Sequence, residues 1–226
     1  MAPDFSGKTA LITGAGRGIG RAVALGLADA GSGLILLARS AGQLDETRAL
    51  LLDRGADAAR ISVVAADLGD ERQRGRAAGV ALETGRVDIL INNAATVEPL
   101  GVTAAIPAAE LRQAFELNVI APAELAAAVL PGMLDATWGR IVNVSSGIVA
   151  RPGSMVRGNA YAATKAALEA HTVNLAAELN GTGVTVNAYR PAESTRRCRR
   201  GSASRTRTAS GPRCTPGSTR ISPREP

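Results

Sequence analysis

Thr9-Ala10-Leu11-Ile12-Thr13-Gly14-Ala15-Gly16-Arg17-Gly18-Ile19-Gly20 decides how this chain folds. Its first five residues read as a short, apolar, buried strand. A glycine-rich turn follows. From Gly18 to Ala30 the pattern is helical, with Ile19, Val23 and Leu27 assigned to the inner face, and Gly31 stands where a helix end takes glycine. Strand, glycine turn and helix in that order make the first half of a βαβ unit. The amides at the start of the helix, with its dipole, can seat a dinucleotide phosphate. Gly14 allows the tight turn, and Gly18 and Gly20 let backbone approach the phosphate. The spacing is T-G-x-x-x-G-x-G and not the stricter G-x-G-x-x-G. Alone, it leaves open a second reading, a strand-to-helix turn that happens to be rich in glycine.

Outward from this stretch, short apolar runs alternate with helical patterns. Strands are expected at Leu34–Ala38, Ile61–Ala65, Val87–Ile91, Arg140–Val144 and Val184–Ala188. Helices are expected at Gln43–Arg54, with Leu44, Leu50 and Leu51 inward, and at Glu71–Glu83. Two longer ones are expected at Ala108–Leu134, interrupted near Pro122, and at Asn159–Leu179. This alternation argues for an α/β protein: a parallel, doubly wound sheet of six recognisable strands with helices on both faces. Such sheets bind ligands beyond the carboxyl ends of their strands. Every motif considered below falls at one of those ends.

A chain of 226 residues suffices for one such domain, and a composition 46% hydrophobic but 2% aromatic makes its core aliphatic. No run approaches the roughly 20 apolar residues of a membrane span. The N-terminus has no basic stretch followed by an apolar one, so cytoplasmic residence is the expectation. The net charge of +6 is unevenly placed. Residues 1–191 hold 17 Lys+Arg against 18 Asp+Glu; residues 192–226 hold 9 Arg against Glu193 and Glu225. The near-neutral body argues against a nucleic-acid surface. Cys198 and Cys214 have no histidine at metal-ligand spacing, so no metal site is expected. A disulfide between them is an open alternative to two reduced thiols.

Tyr161-Ala162-Ala163-Thr164-Lys165 places a phenol and an ammonium one helical turn apart on one face. A tyrosine of ordinary pKa, about 10, exchanges protons poorly at neutral pH. A neighbouring ammonium stabilises the phenolate and lowers that pKa. The chain has two lysines, Lys8 and Lys165, against 24 arginines, and arginine replaces a compact, tunable ammonium poorly. His171 and Trp138 read as packing residues.

The glycine turn and the Tyr-Lys pair together resemble the short-chain dehydrogenase/reductase family, single-domain kind, from about Lys8 to Pro191. The resemblance implies a Rossmann fold and an NAD(P)-dependent oxidoreductase. It would interconvert a ketone and a secondary alcohol as a homodimer or homotetramer. It implies catalytic roles for Tyr161 as general acid/base, Lys165 beside it, Ser146 on the substrate oxygen and Asn118, which would kink its helix and hold a proton-relay water. It assigns the cofactor to Gly14, Arg17, Gly18, Ile19, Gly20, Arg39, Asp67, Leu68, Asn93 and Ala94, with Tyr161 and Lys165. Ala95 departs from the family's usual glycine. The spacing from Ser146 to Tyr161 is two residues longer than the commonest pattern, so the loop Pro152–Gly158 is read as carrying an insertion.

Some assignments also have readings from the residues alone. An NAD-selective site usually ends its second strand in a carboxylate. Here Arg39 stands there, with Arg17 in the glycine turn, and guanidiniums suit the 2′-phosphate of NADP. Two solvated surface charges are the alternative. Asp67 reads equally as the cap of the helix opening at Glu71.

The resemblance stops after Tyr189-Arg190-Pro191. Residues 192–226 are Arg, Ser, Thr, Pro and Gly, with Ile221 the only aliphatic residue larger than alanine. The family's seventh strand and substrate-covering lid are not legible there, and such a composition is expected to remain disordered. An aberrant, out-of-frame C-terminus and a basic interaction tail are both open. A catalytically impaired nucleotide-binding protein is accordingly the alternative function.

Overall fold

The computed structural model describes residues 3–191. The segment 192–226, with Cys198 and Cys214, lies outside the described residues, as do the expectations made for it.

Six parallel strands form one sheet in the order β3-β2-β1-β4-β5-β6. They are β1 (Thr9–Thr13), β2 (Gly33–Ala38), β3 (Ile61–Ala65), β4 (Ile89–Asn92), β5 (Gly139–Val144) and β6 (Val184–Tyr189). Between them run α1 (Gly18–Asp29), α2 (Ala41–Asp53), α3 (Glu71–Glu83), α4 (Ala108–Phe115), α5 (Ala121–Asp135) and α6 (Asn159–Glu178). The doubly wound expectation holds. Strand order reverses between β1 and β4, which pair Ala10 with Ile89 and Ile12 with Ile91. A switch point of this kind opens a crevice at the strand ends.

Period-two alternation sorts β1 between two cores. Leu11 faces a cluster with Ala77 of α3, Leu125 and Val129 of α5, and Leu175 of α6. Ala10 and Ile12 face another with Ala24 of α1, and Leu44 and Leu51 of α2. Two inward assignments fail. Ile19 is 42% exposed and Leu50 40%. The face of α1 that meets the sheet is built from Gly20 and Ala24, because that helix packs too closely for branched side chains.

The long helix is interrupted at Glu116–Ile120, a widened π-type turn, and not at Pro122. Pro122 sits in the first turn of α5, where a proline loses no hydrogen bond. By length and composition the 28-residue helical stretch Ala108–Asp135, which contains an 18-residue window of mean hydropathy 1.6, could cross a membrane, so the expectation that no run approaches a span does not hold. Here Ala121, Leu125, Ala126, Val129 and Met133 are buried in the sheet-packed core.

Candidate active site

The glycine turn is shaped by close packing. Gly14 and Gly18 have φ of 64° and 58°, in the left-handed region. At Gly20 a Cβ would lie 2.3 Å from Gly14 O and 2.6 Å from Asn93 Nδ2. Gly20 is thus required by contact with the turn and with β4's continuation, not by approach to a ligand. Two residues unnoticed in the sequence hold the turn, Thr47 of α2 and Arg21 of α1. The buried Thr47 hydroxyl donates to Ala15 O at 3.0 Å, and Arg21 Nε donates to Gly16 O at 3.0 Å.

Helix caps separate α1 from its neighbours. Ser40 Oγ accepts from Gln43 N to cap α2, and Asp70 Oδ1 accepts from Gln73 N to cap α3. No side chain caps α1. Its first amides remain available at a cleft of about 450 Å³ lined by Gly14, Gly18, Leu68, Ala94, Arg17 and Arg39. An uncapped helix N-terminus beside two guanidiniums fits a phosphorylated dinucleotide. Among the described residues neither arginine has a carboxylate partner.

Asp67 caps no helix, which removes that alternative. Its Oδ1 accepts from Gly69 N at 2.9 Å, turning the chain after β3. Asn93 braces the switch point: Nδ2 donates to Thr13 O at 2.9 Å, and its backbone N–H meets Thr13 Oγ1 at 2.9 Å.

The cleft continues past Ile19, Asn93 and Ala95 into a second lobe of about 500 Å³, where Ser146, Tyr161 and Lys165 meet. Lys165 is 3% exposed, and burial pushes its ammonium down to about 8. Its Nζ donates to Val144 O at 2.7 Å and lies 5.9 Å from the centre of the Tyr161 ring. Successive turns of α6 are thereby tied to β5. Glu169 accepts from Ser145 Oγ, and Thr172 Oγ1 accepts from Asn143 Nδ2 at 2.9 Å. Glu169 also pairs with Arg190 at the end of β6, which holds its carboxyl below the usual range. That Ser145–Glu169–Arg190 link was not foreseen.

Ser146 is half-buried at the turn after β5; its Oγ accepts from Ile148 N at 3.3 Å and faces the second lobe. Asn118 is fully buried inside the π-type turn. Its Oδ1 accepts from Thr96 N at 2.9 Å, and Nδ2 donates to Thr96 O at 2.8 Å and Thr164 Oγ1 at 3.0 Å. Both amide protons are therefore committed. The side chain fastens α6 beside Tyr161 and has no N–H left for a relay water. His171 stands apart from the cleft, its Nε2 buried without a partner among the described residues.

A doubly wound sheet with this cleft defines a dinucleotide-binding protein. The chain belongs to the short chain dehydrogenase family, whose sequence model matches residues 8–200. The match begins where the resemblance did and runs past Pro191. A short chain dehydrogenase of Pseudocercospora fijiensis is 36% identical over 192 residues, covering 83% of this chain and 60% of that protein. The oxidoreductase UcpA of Salmonella typhimurium is 39% identical over 191 residues, covering 83% of this chain and 69% of that protein. The chain thus spans three-fifths to about two-thirds of these relatives. A metagenomic short-chain oxidoreductase in complex with NADP superposes with a TM-score of 0.77 at 32% identity, covering 83% of each chain.

Proposed function

We propose that this chain is an NADP-dependent oxidoreductase interconverting a ketone and a secondary alcohol. The observation that carries the reading is one cleft with two chemically distinct ends. One end offers uncapped amides and two free guanidiniums. The other gathers a phenol, a buried ammonium and a hydroxyl. Family membership and the NADP complex of a structural neighbour support the same reading.

NADP(H), when bound, supplies or accepts the hydride. The remaining work falls to the chain. Arg39 and Arg17 grip the 2′-phosphate, and the start of α1 faces the pyrophosphate. Ser146 Oγ orients the substrate oxygen. Tyr161 gives its proton to that oxygen in reduction and takes it back in oxidation. Lys165, mostly charged at neutral pH, stabilises the phenolate between those events. Asn118 acts by position, fastening the helix that carries Tyr161. The alternative is an impaired nucleotide-binding protein. Incubating the purified chain with NADPH and a ketone panel, and with NADP⁺ and secondary alcohols, decides between them. Nucleotide binding without turnover in either direction overturns the enzymatic reading.

A further inference from the structure

The second lobe of the cleft is lined by Ser145, Ser146, Tyr161 and Lys165 and by an apolar wall of Ala95, Ile148, Met155 and Pro191, with Ser154 beside Met155. Among the described residues facing the lobe, Tyr161 and Lys165 are the ionisable ones; no carboxylate or guanidinium faces it.

Met155 comes from the lengthened loop that precedes α6, and the loop is firmly held. Arg157 has a φ of 70°, a left-handed conformation that a non-glycine residue adopts at a cost. Its carbonyl accepts from Gly101 N at 2.9 Å, and Asn159 Nδ2 donates to Thr103 Oγ1 at 2.7 Å. These bonds fasten the loop to the segment after β4. Leu100 and Val102 flank Gly101 and so stand alongside Val156. All three are exposed, at 45%, 55% and 83%. Met155 turns back against the start of α6, its Cγ and Sδ 2.7 and 2.8 Å from where a Cβ on Gly158 would lie.

We propose that this wall selects the substrate, resting on the reading of the cleft as a carbonyl site. The substrate class is a ketone or secondary alcohol whose larger substituent is uncharged and apolar. An alkyl or aryl group laid against Met155, Ile148 and the rim is removed from water, with a gain proportional to its area. A distal carboxylate or phosphate would be desolvated there without a free counter-charge, because Lys165 already serves Val144 O and Tyr161.

Calorimetric titration of the NADP⁺-loaded full chain with ketones tests this, since oxidised cofactor and ketone cannot exchange a hydride. Affinity is expected to rise about fourfold per methylene from 2-butanone to 2-hexanone. 2-Octanone should bind at least tenfold more tightly than 7-oxooctanoate, which adds a carboxylate to the far end. Met155→Ala should flatten the methylene trend, and Met155→Lys should reverse the preference toward 7-oxooctanoate. Neither should alter NADP⁺ affinity. No ketone binding, no methylene trend, or equal affinity for the carboxylate overturns the inference. Turnover with NADPH is measured separately. Binding with the trend but without turnover keeps the wall and defeats the proposed reaction; turnover without the trend does the reverse.

Discussion

The two ends of the sheet each hold one of the chain's two lysines, and they treat it in opposite ways. At the amino ends of the strands, Lys8 lies 4.1 Å over the Trp138 ring and 3.7 Å from Asp88. Asp88 also accepts from Thr9 N and Arg86, and Arg140 lies over the same tryptophan. Each cation there has a carboxylate or an aromatic face beside it. At the carboxyl ends, Lys165 is buried with a single carbonyl partner and, among the described residues, no carboxylate within ion-pair distance. Arg17 and Arg39 are likewise unmatched among the described residues. Matched charge holds a fold together; unmatched charge next to a cleft is available for a ligand or a proton.

The largest effect should come from Tyr161→Phe at the carboxyl end. It preserves ring packing and removes the proposed acid, so kcat/KM should fall about 10²–10⁴-fold. NADP affinity and the unfolding midpoint should not move. Activity near that of the unaltered chain would take Tyr161 out of the mechanism. The matching change at the amino end is Asp88→Ala. It strands Thr9 N and two cationic groups, Lys8 and Arg86, so it should cost about 2–3 kcal/mol of stability. Thermal denaturation would read this as a drop of roughly 4–10 °C. Nucleotide affinity of the folded fraction should be unchanged; a loss comparable to that of Tyr161→Phe would erase the contrast between the ends.

Lys165→Met sharpens the comparison through pH. The folded pKa is about 8, below the ordinary 10.5. Between those values the unfolded chain binds more protons, so stability rises with pH across that window. Below it the charge is present in both states and its burial costs about 3 kcal/mol. Methionine removes that cost but strands Val144 O, a loss of about 1 kcal/mol. The variant without cofactor should therefore be more stable by about 2 kcal/mol at pH 7. The gain should vanish as pH approaches 10.5. Denaturant melts at both ends of that window check the sign, and a variant less stable at pH 7 defeats it.

Legibility follows the same division. The bounds of β1, β3 and α3 were readable to the residue, because apolar runs and turn chemistry are local signals. The sequence-derived cofactor and catalytic residues line one connected cleft, except Gly20 and Asn118, which stand behind its surface, and Asp67, which lines an adjoining hollow with Arg39 and Leu117. What escaped is what distant residues decide. The break at Glu116–Ile120 falls at Asn118, as the resemblance implied, but the partners that hold it there, Thr96 and Thr164, lie 22 and 46 residues away and were not legible. Thr47 and Glu169 look ordinary in sequence and acquire their partners only through packing. Ile19 has the period of a core residue, yet faces the cleft, because Gly20 draws α1 too close to the sheet.

The smallest predicted effect separates two ways of being an unmatched charge. Arg39 faces the dinucleotide end of the cleft at the exit of β2, with Arg17 at the start of α1. Either could be a solvated surface residue, and burial does not distinguish the readings, since both are exposed. Ligand selectivity does. A guanidinium on the 2′-phosphate contributes on the order of 1–3 kcal/mol, and solvent at this open rim favours the lower figure. Arg39→Ala should thus weaken NADP binding about tenfold while leaving NAD within about twofold, and added salt should narrow the gap. Arg17→Ala should act in the same direction more weakly, because Arg17 also sits in the turn whose backbone faces the pyrophosphate common to both nucleotides. Titrating both nucleotides at two ionic strengths measures this. Equal loss for NAD and NADP would make Arg39 a general contact, and no loss for either would return it to the solvated surface, leaving Lys165 as the cleft's one functional cation.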